Sequence, residues 1–259
     1  MQKKGSFSLN AVSSAKRTER RLVNAIRAHF RSAGKSRAVL GLSGGVDSAV
    51  VCALAAKALG AANVRAYYLP YFNPPDDGRH ARLAAKKFGV RLQSVSIRKT
   101  VDALVAATGA RDNVSRGNIM ARVRMAVLYE FARQDRALVL GTGNRTEILL
   151  GYFTKFGDGA CDVLAIGGLY KAQVWQLAEI LGVPSEIIRK PPSAGLWQGQ
   201  TDEGELGISY SDADEILHAL IDKEWSLASA KRMFGKEKVA RVAGMLAASG
   251  HKRLPVPVL

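Results

Sequence analysis

The chain is predicted to fold as an α/β structure, a parallel sheet with helices on both faces. Three observations predict it. Short apolar runs alternate with helical repeats through the first half of the chain. Apolar residues make up 47% of 259 positions, enough for a large core. A glycine-rich turn, "GLSGGVDSAV" at Gly41–Val50, sits between an apolar run and a helical pattern, a strand–turn–helix phosphate site by construction.

The elements follow in order. Leu22, Ile26 and Phe30 recur every fourth residue, which predicts an amphipathic helix over 14–32. Strand signals lie at 37–42, 64–69, 90–97 and 137–141. Helical patterns between them cover 47–59, 77–88 and 115–134, the last with the stripe Ile119, Val123, Val127 and Phe131. In open parallel sheets ligands bind beyond the carboxyl ends of the strands, so the loops after Leu42, Leu69 and Gly141 should line one crevice. A helix over 171–181 stops at Gly182 and Pro184, and Ser211 is read as the cap of another, with Asp214 three residues on. Two stretches fit no period: 151–169, "GYFTKFGDGACDVLAIGGL", and 189–207, "RKPPSAGLWQGQTDEGELG". Loops longer than ~12–15 residues inside a compact domain are usually functional or disordered. With their mixture of apolar and charged residues, both are expected to order over a ligand as lids. The chain has no repeat and no low-complexity segment, and residues 1–259 read as one domain with a basic N-terminal tail over 1–13.

Composition narrows the partners. Thirty-eight basic against 22 acidic residues give +16, which suits anionic ligands or simply a basic surface. The two cysteines, Cys52 and Cys161, form no disulfide framework and no C-x-x-C, as expected in a reducing cytoplasm. No apolar run approaches the ~20 residues of a membrane helix. His29, His80 and His218 show no metal spacing, and Phe153, Phe156, Trp175 and Trp197 read as core rather than base-stacking residues.

The chemistry concentrates in the turn. Ser43, Gly44, Gly45 and Ser48 offer backbone and hydroxyl donors suited to pyrophosphate. A triphosphate loop commonly ends in Lys before Ser or Thr, yet here Asp47 precedes Ser48. A carboxylate repels bare phosphate but attracts it through a divalent metal, so Asp47 points to magnesium. Lys171 opens a helix, where a cation opposes the helix dipole, and a phosphate partner would explain it.

"SGGVDS" resembles the pyrophosphate loop of the ATP pyrophosphatase superfamily, whose adenine nucleotide alpha hydrolase-like fold is Rossmann-like. The loop alone does not choose among GMP synthetase, asparagine synthetase, tRNA-modifying enzymes and NAD synthetase. "GNIMARVRMAVLYEFAR", "LGTGNRTEILLGYFTKFGDGACD", "GGLYKAQVWQLA", "KPPSAGLWQGQTDEGELGISY" and "HKR" together resemble ammonia-dependent NAD synthetase from about Arg20 to Arg253. The segment Tyr71–Ala81 departs from the pattern.

That resemblance implies roles for particular residues. Gly41, Leu42, Ser43, Gly44, Gly45, Val46, Asp47 and Ser48 would hold the ATP phosphates, with Thr142, Lys171 and Ser193 at further ATP positions. Asp47 and Glu147 would ligate Mg2+. Arg122, Lys155, Asp162, His251 and Lys252 match positions that hold deamido-NAD, and Asp162 could also hold ammonium or accept a proton. Arg122 and Arg124 point in roughly opposite directions on a helix, and Arg122 is taken as the one facing the site. The implied reaction adenylates the nicotinate carboxylate at the expense of ATP. Ammonia then displaces AMP, giving NAD, AMP and pyrophosphate. The resemblance further implies a homodimer, with no nucleic-acid or membrane partner. The competing readings are a tRNA-modifying ATP pyrophosphatase, favoured by the charge, and a nucleotide-binding module without turnover.

Overall fold

A computed structural model describes residues 11–72, 75–197 and 199–258. Its centre is a parallel sheet of β1 (Ala38–Gly41), β2 (Val64–Tyr68), β3 (Arg91–Ser94), β4 (Leu138–Gly141) and β5 (Val163–Leu164), in the order β3-β2-β1-β4-β5. Leu40 pairs with Ala66 on one side and Leu140 on the other. The short β5 falls inside the first irregular stretch. At two residues it is too brief to leave a periodic signal.

The helices are α1 (Ala11–Ser32), α2 (Val46–Leu59), α3 (Pro75–Phe88), α4 (Arg98–Thr108), α5 (Asn113–Asp135), α6 (Arg145–Leu150), α7 (Lys171–Leu181), α8 (Ser185–Ile188), α9 (Asp202–Leu206), α10 (Tyr210–Leu217), α11 (Leu227–Phe234), α12 (Lys236–Ala248) and α13 (Gly250–Arg253). Helix α1 begins three residues before the predicted start, inside the expected tail. Residues 1–10 of that tail lie outside the described residues.

Strand alternation sorts the core into two layers. Ala38, Leu40, Val64 and Ala66 pack with α1, α2, α3 and α7, whereas Val39, Tyr67 and Val139 pack with α4 and α5. Helix α2 is buried almost all round because α1, α3 and α7 flank it, which is why it shows no polar face. Tyr67 stacks on Phe131 of α5 with ring centroids 4.1 Å apart. A third cluster, with Tyr210, Ile216, Val239 and Val242, binds α10 and α12 to α6.

One predicted helix start is corrected. Ser209, not Ser211, caps α10: its side chain accepts the Asp212 N–H at 3.1 Å and donates to the Asp212 carboxylate at 2.9 Å. Asp214 is instead buried, accepting from Thr146 Oγ1 at 2.5 Å and from the Ala172 N–H at 2.9 Å. The spacing at 209 and 211 is the same, so only tertiary contacts choose the register.

Candidate active site

The chain runs outward from β1 through β2 to β3 and returns to β4, so a crevice opens at the carboxyl ends of β1 and β4. The loops after Leu42, Leu69 and Gly141 all line it, as predicted. It holds a larger chamber of about 430 Å3 and a smaller one of about 140 Å3, which share Ser43, Gly45, Thr142 and Ser193.

The turn between β1 and α2 forms one wall. Gly44 has φ 86°, and a Cβ there would strike the backbone carbonyl of Asp77 in α3. Ser48 Oγ donates to the Gly45 carbonyl at 2.9 Å, and the Ser43 N–H reaches Ser48 Oγ at 3.3 Å. Gly45 precedes α2 without any side-chain cap, so the helix N-terminus is left to a ligand.

The opposite wall is α6. Asn144 and Glu147 form a reciprocal capping box: the Glu147 N–H donates to Asn144 Oδ1 at 3.0 Å, and the Asn144 N–H donates to Glu147 Oε2 at 3.1 Å. The Asn144 side chain then donates to Asp47 Oδ1 at 3.0 Å, which ties the two walls together.

Lys171 closes the arrangement from α7. Its N–H and that of Ala172 are taken by Thr146 and Asp214, so the helix start is fixed between α6 and α10. The side chain is only 1% exposed. Its Nζ lies 2.5 Å from Asp47 Oδ2, 3.6 Å from Glu147 Oε1 and 4.9 Å from the Tyr210 ring centroid. Burial disfavours the ammonium charge, but Asp47 and Glu147 outweigh it and hold the Lys171 pKa above its ordinary value. Burial, reinforced by Asp47, raises the Glu147 carboxyl above the usual carboxylate range against the pull of Lys171. Burial also raises Asp202, which accepts from Tyr210 at 2.9 Å and Tyr152 at 3.1 Å.

This donor set fits magnesium. The Lys171 ammonium shows that a cation is accommodated beside both carboxylates, and the phosphate loop lines the same chamber. Among the described residues no group of three or more His, Cys, Asp or Glu side chains converges as a metal site. A magnesium ion held by one or two carboxylates completes its shell with phosphates and water.

The residues expected to hold deamido-NAD are divided. Lys252 lines the larger chamber and donates to the carbonyls of Gly151 and Phe153 at 2.7 and 2.8 Å. Arg122, Lys155 and His251 form a chain outside both chambers: Arg122 reaches the Lys155 carbonyl at 3.5 Å, and Lys155 Nζ reaches the His251 carbonyl at 2.9 Å. Asp162 also lies outside. Its carboxylate accepts the Val139 N–H at 2.7 Å and the Tyr129 hydroxyl at 3.4 Å, which pins the edge of the sheet.

Arg124 is not in solvent, contrary to the reading of α5. It shares the crevice face with Asn118, Ala121 and Leu128, and its Nε donates to the Leu69 carbonyl at 3.0 Å. Spacings of three and four along α5 carried this signal; the apolar stripe one position away masked it. Asp158, Lys190 and Asp202 also line the chambers and were not singled out by sequence. All three lie in the aperiodic stretches, where side-chain direction cannot be read. Asn144 was not singled out either; its spacing to Glu147 in "GNRTE" is the capping signal that could have marked it.

The residues 18–256 match the family model described as NAD synthase. This chain belongs to the NAD synthase family. Similar members include the NH(3)-dependent NAD(+) synthetase of Thermococcus kodakarensis, 47% identical over 231 residues, 88% of this chain and 91% of that protein. That of Trichlorobacter lovleyi is 46% identical over 244 residues, 93% and 89% of the two chains. Among solved structures, NMN synthetase from Francisella tularensis superposes with a TM-score of 0.84 at 36% identity, covering 95% of this chain and 98% of that one. The NH3-dependent NAD synthetase from Campylobacter jejuni gives 0.82 at 28% identity, with the same coverage. These NAD synthase neighbours confirm the Rossmann-like α/β fold expected from the sequence.

Proposed function

We infer that this chain catalyses the ATP-dependent amidation of deamido-NAD by ammonia, yielding NAD, AMP and pyrophosphate. The observation that carries it is the convergence of Asp47, Glu147 and Lys171 on the pyrophosphate loop, in a chain whose relatives bear the name NH(3)-dependent NAD(+) synthetase. Family membership argues against a tRNA-modifying enzyme.

A carboxylate resists nucleophiles because of its charge. Its attack on the α-phosphate of ATP forms an acyl-adenylate and releases pyrophosphate; ammonia then attacks the acyl carbon and AMP leaves. Loop N–H groups and the Ser43 and Ser48 hydroxyls would take phosphate oxygens, while Thr142 and Ser193 orient the nucleotide. Lys171, already held at the loop, stabilises charge on the departing pyrophosphate. Asp47 and Glu147 would hold magnesium, which when bound neutralises polyphosphate charge. Lys252 would bind the nicotinate half of deamido-NAD. Arg122, Lys155 and His251 are assigned to the part of the dinucleotide that extends outward, towards a second copy in a homodimer. Asp158 opens into both chambers, so it is better placed than Asp162 to meet ammonium. No helix among the described residues is long and apolar enough to cross a membrane, and a cytoplasmic enzyme is the reading adopted.

A second substrate is favoured by one observation, the similarity to a structure named NMN synthetase. Nicotinate mononucleotide presents the same carboxylate without the adenylate half. The test supplies ATP, magnesium and ammonium with either deamido-NAD or the mononucleotide and measures pyrophosphate and amide product. Pyrophosphate and NAD formed with deamido-NAD support the reading. Turnover with the mononucleotide alone transfers the assignment to it, and pyrophosphate with neither overturns both.

A further inference from the structure

The second irregular stretch carries a cation with an unusual position. Lys190 lines both chambers, and its ammonium is paired with the carboxylate of Asp77 in the first turn of α3. Asp77 stands directly behind the phosphate loop, because its backbone carbonyl is the group a Cβ on Gly44 would strike. The stretch also folds round the same carboxylate: a Cβ on Gly195 would lie 3.6 Å from Asp77 Oδ2. The ammonium of Lys190 is therefore held beside the place where polyphosphate would lie, by an anion that polyphosphate would oppose.

The charge of the smaller chamber gives this pair a purpose. Its walls carry the carboxylates of Asp47, Glu147, Asp158 and Asp202 against the ammonium groups of Lys171 and Lys190. Lys171 is fully buried and faces Asp47 and Glu147 together. Lys190 has a side chain 25% exposed, and that of Asp77 is 21% exposed. Both side chains are thus partly exposed, unlike Lys171, and a flexible four-carbon lysine stem lets the ammonium turn from Asp77 towards a phosphate in the same chamber.

We propose that Lys190 is a second phosphate-binding cation, held by Asp77 and transferred to the ATP polyphosphate when nucleotide binds. Asp77 is then a competitor for the ammonium and not a permanent clamp. The proposal rests on the reading of the crevice as the ATP site. It makes the stretch 189–207 close because it brings charge to the nucleotide.

The test measures the affinity of a non-hydrolysable α,β-methylene ATP for wild type, Lys190→Met and Asp77→Asn by calorimetry, with thermal melts to verify folding. Lys190→Met should weaken binding about tenfold, the scale of one charge-assisted hydrogen bond. Asp77→Asn, isosteric and free of the competing charge, should tighten it. A static clamp predicts that the two variants weaken binding alike; that result overturns the proposal, as does unchanged affinity in Lys190→Met. Absence of binding by wild type would instead overturn the ATP reading on which the proposal rests.

Discussion

Gly44 illustrates how narrowly the site is specified at the level of single residues. Its left-handed backbone and its contact with Asp77 leave no room for a side chain. Gly44→Ala should lower turnover about 100-fold, the cost of displacing a positioned group by ~1 Å, with the fold retained. Steady-state rates beside a circular dichroism spectrum check this. Asp47→Asn and Glu147→Gln should each reduce turnover by about two to three orders of magnitude if the two share magnesium; near-normal rates at limiting magnesium would remove that residue from the metal site. Lys171→Met leaves two half-buried carboxylates without their cation and should cost about 3–5 kcal/mol in a denaturant melt. The cysteines give a pH prediction. Burial pushes Cys161 up to about 11 and Cys52 up to about 12, so thiolate forms only as pH rises towards those values. Iodoacetamide should label Cys161 about tenfold faster per pH unit between 7 and 10, while Cys52 reacts only after denaturation. Asp47 and Lys171 were legible because each breaks a local electrostatic expectation. Asp158, Lys190 and Asp202 were not, since nothing local marks where an aperiodic chain turns its side chains.

The long elements were readable where a period ran its course. Helix α7 is found over the predicted residues, and α5 turns its predicted stripe to the core, with Val123 buried and Ile119, Val127 and Phe131 half-buried. Helix α4 was missed although Ile97, Val101 and Val105 recur every fourth residue and reach the core, because the strand signal read over 90–97 runs up to its first turn. The cap of α10 offers a discriminating measurement: Ser209→Ala should destabilise by ~1 kcal/mol, whereas exposed Ser211→Ala should be close to neutral. The irregular stretches are stapled to each other. The Tyr152 hydroxyl lies 2.5 Å from Glu205 and 3.1 Å from Asp202, with one proton to share between them, Gln200 donates to Glu205 at 2.7 Å, and Leu196 rests on the face of α5 that Gly117 keeps open. Tyr152→Phe removes the hydroxyl shared by two carboxylates and should speed limited proteolysis within 189–207 in the ligand-free chain. ATP with deamido-NAD should slow the cut in wild type. Equal cutting with and without ligands would count against a lid.

At the scale of the molecule, strand–helix alternation was enough to place the crevice, and the order of strands around β1 confirms the three loops that meet there. The partition of the dinucleotide set between chamber and surface could not be read, because sequence spacing says nothing of which side of a wall a residue occupies. Neither cysteine is activated as a nucleophile, so the purified chain should draw nitrogen from ammonium. Sustained NAD formation from ammonia-free glutamine would overturn that assignment. The site also joins segments remote in sequence: Asp47 meets Asn144 across 97 positions and Lys171 across 124. Such contacts form only after large loops close, whereas helices form from neighbours. In refolding from denaturant, far-UV ellipticity should therefore recover before the capacity to bind α,β-methylene ATP. A chain could look folded by its helices while the wall between α2 and α6 is still open. Nucleotide binding, more than helix content, is then the measure of when this protein has finished folding.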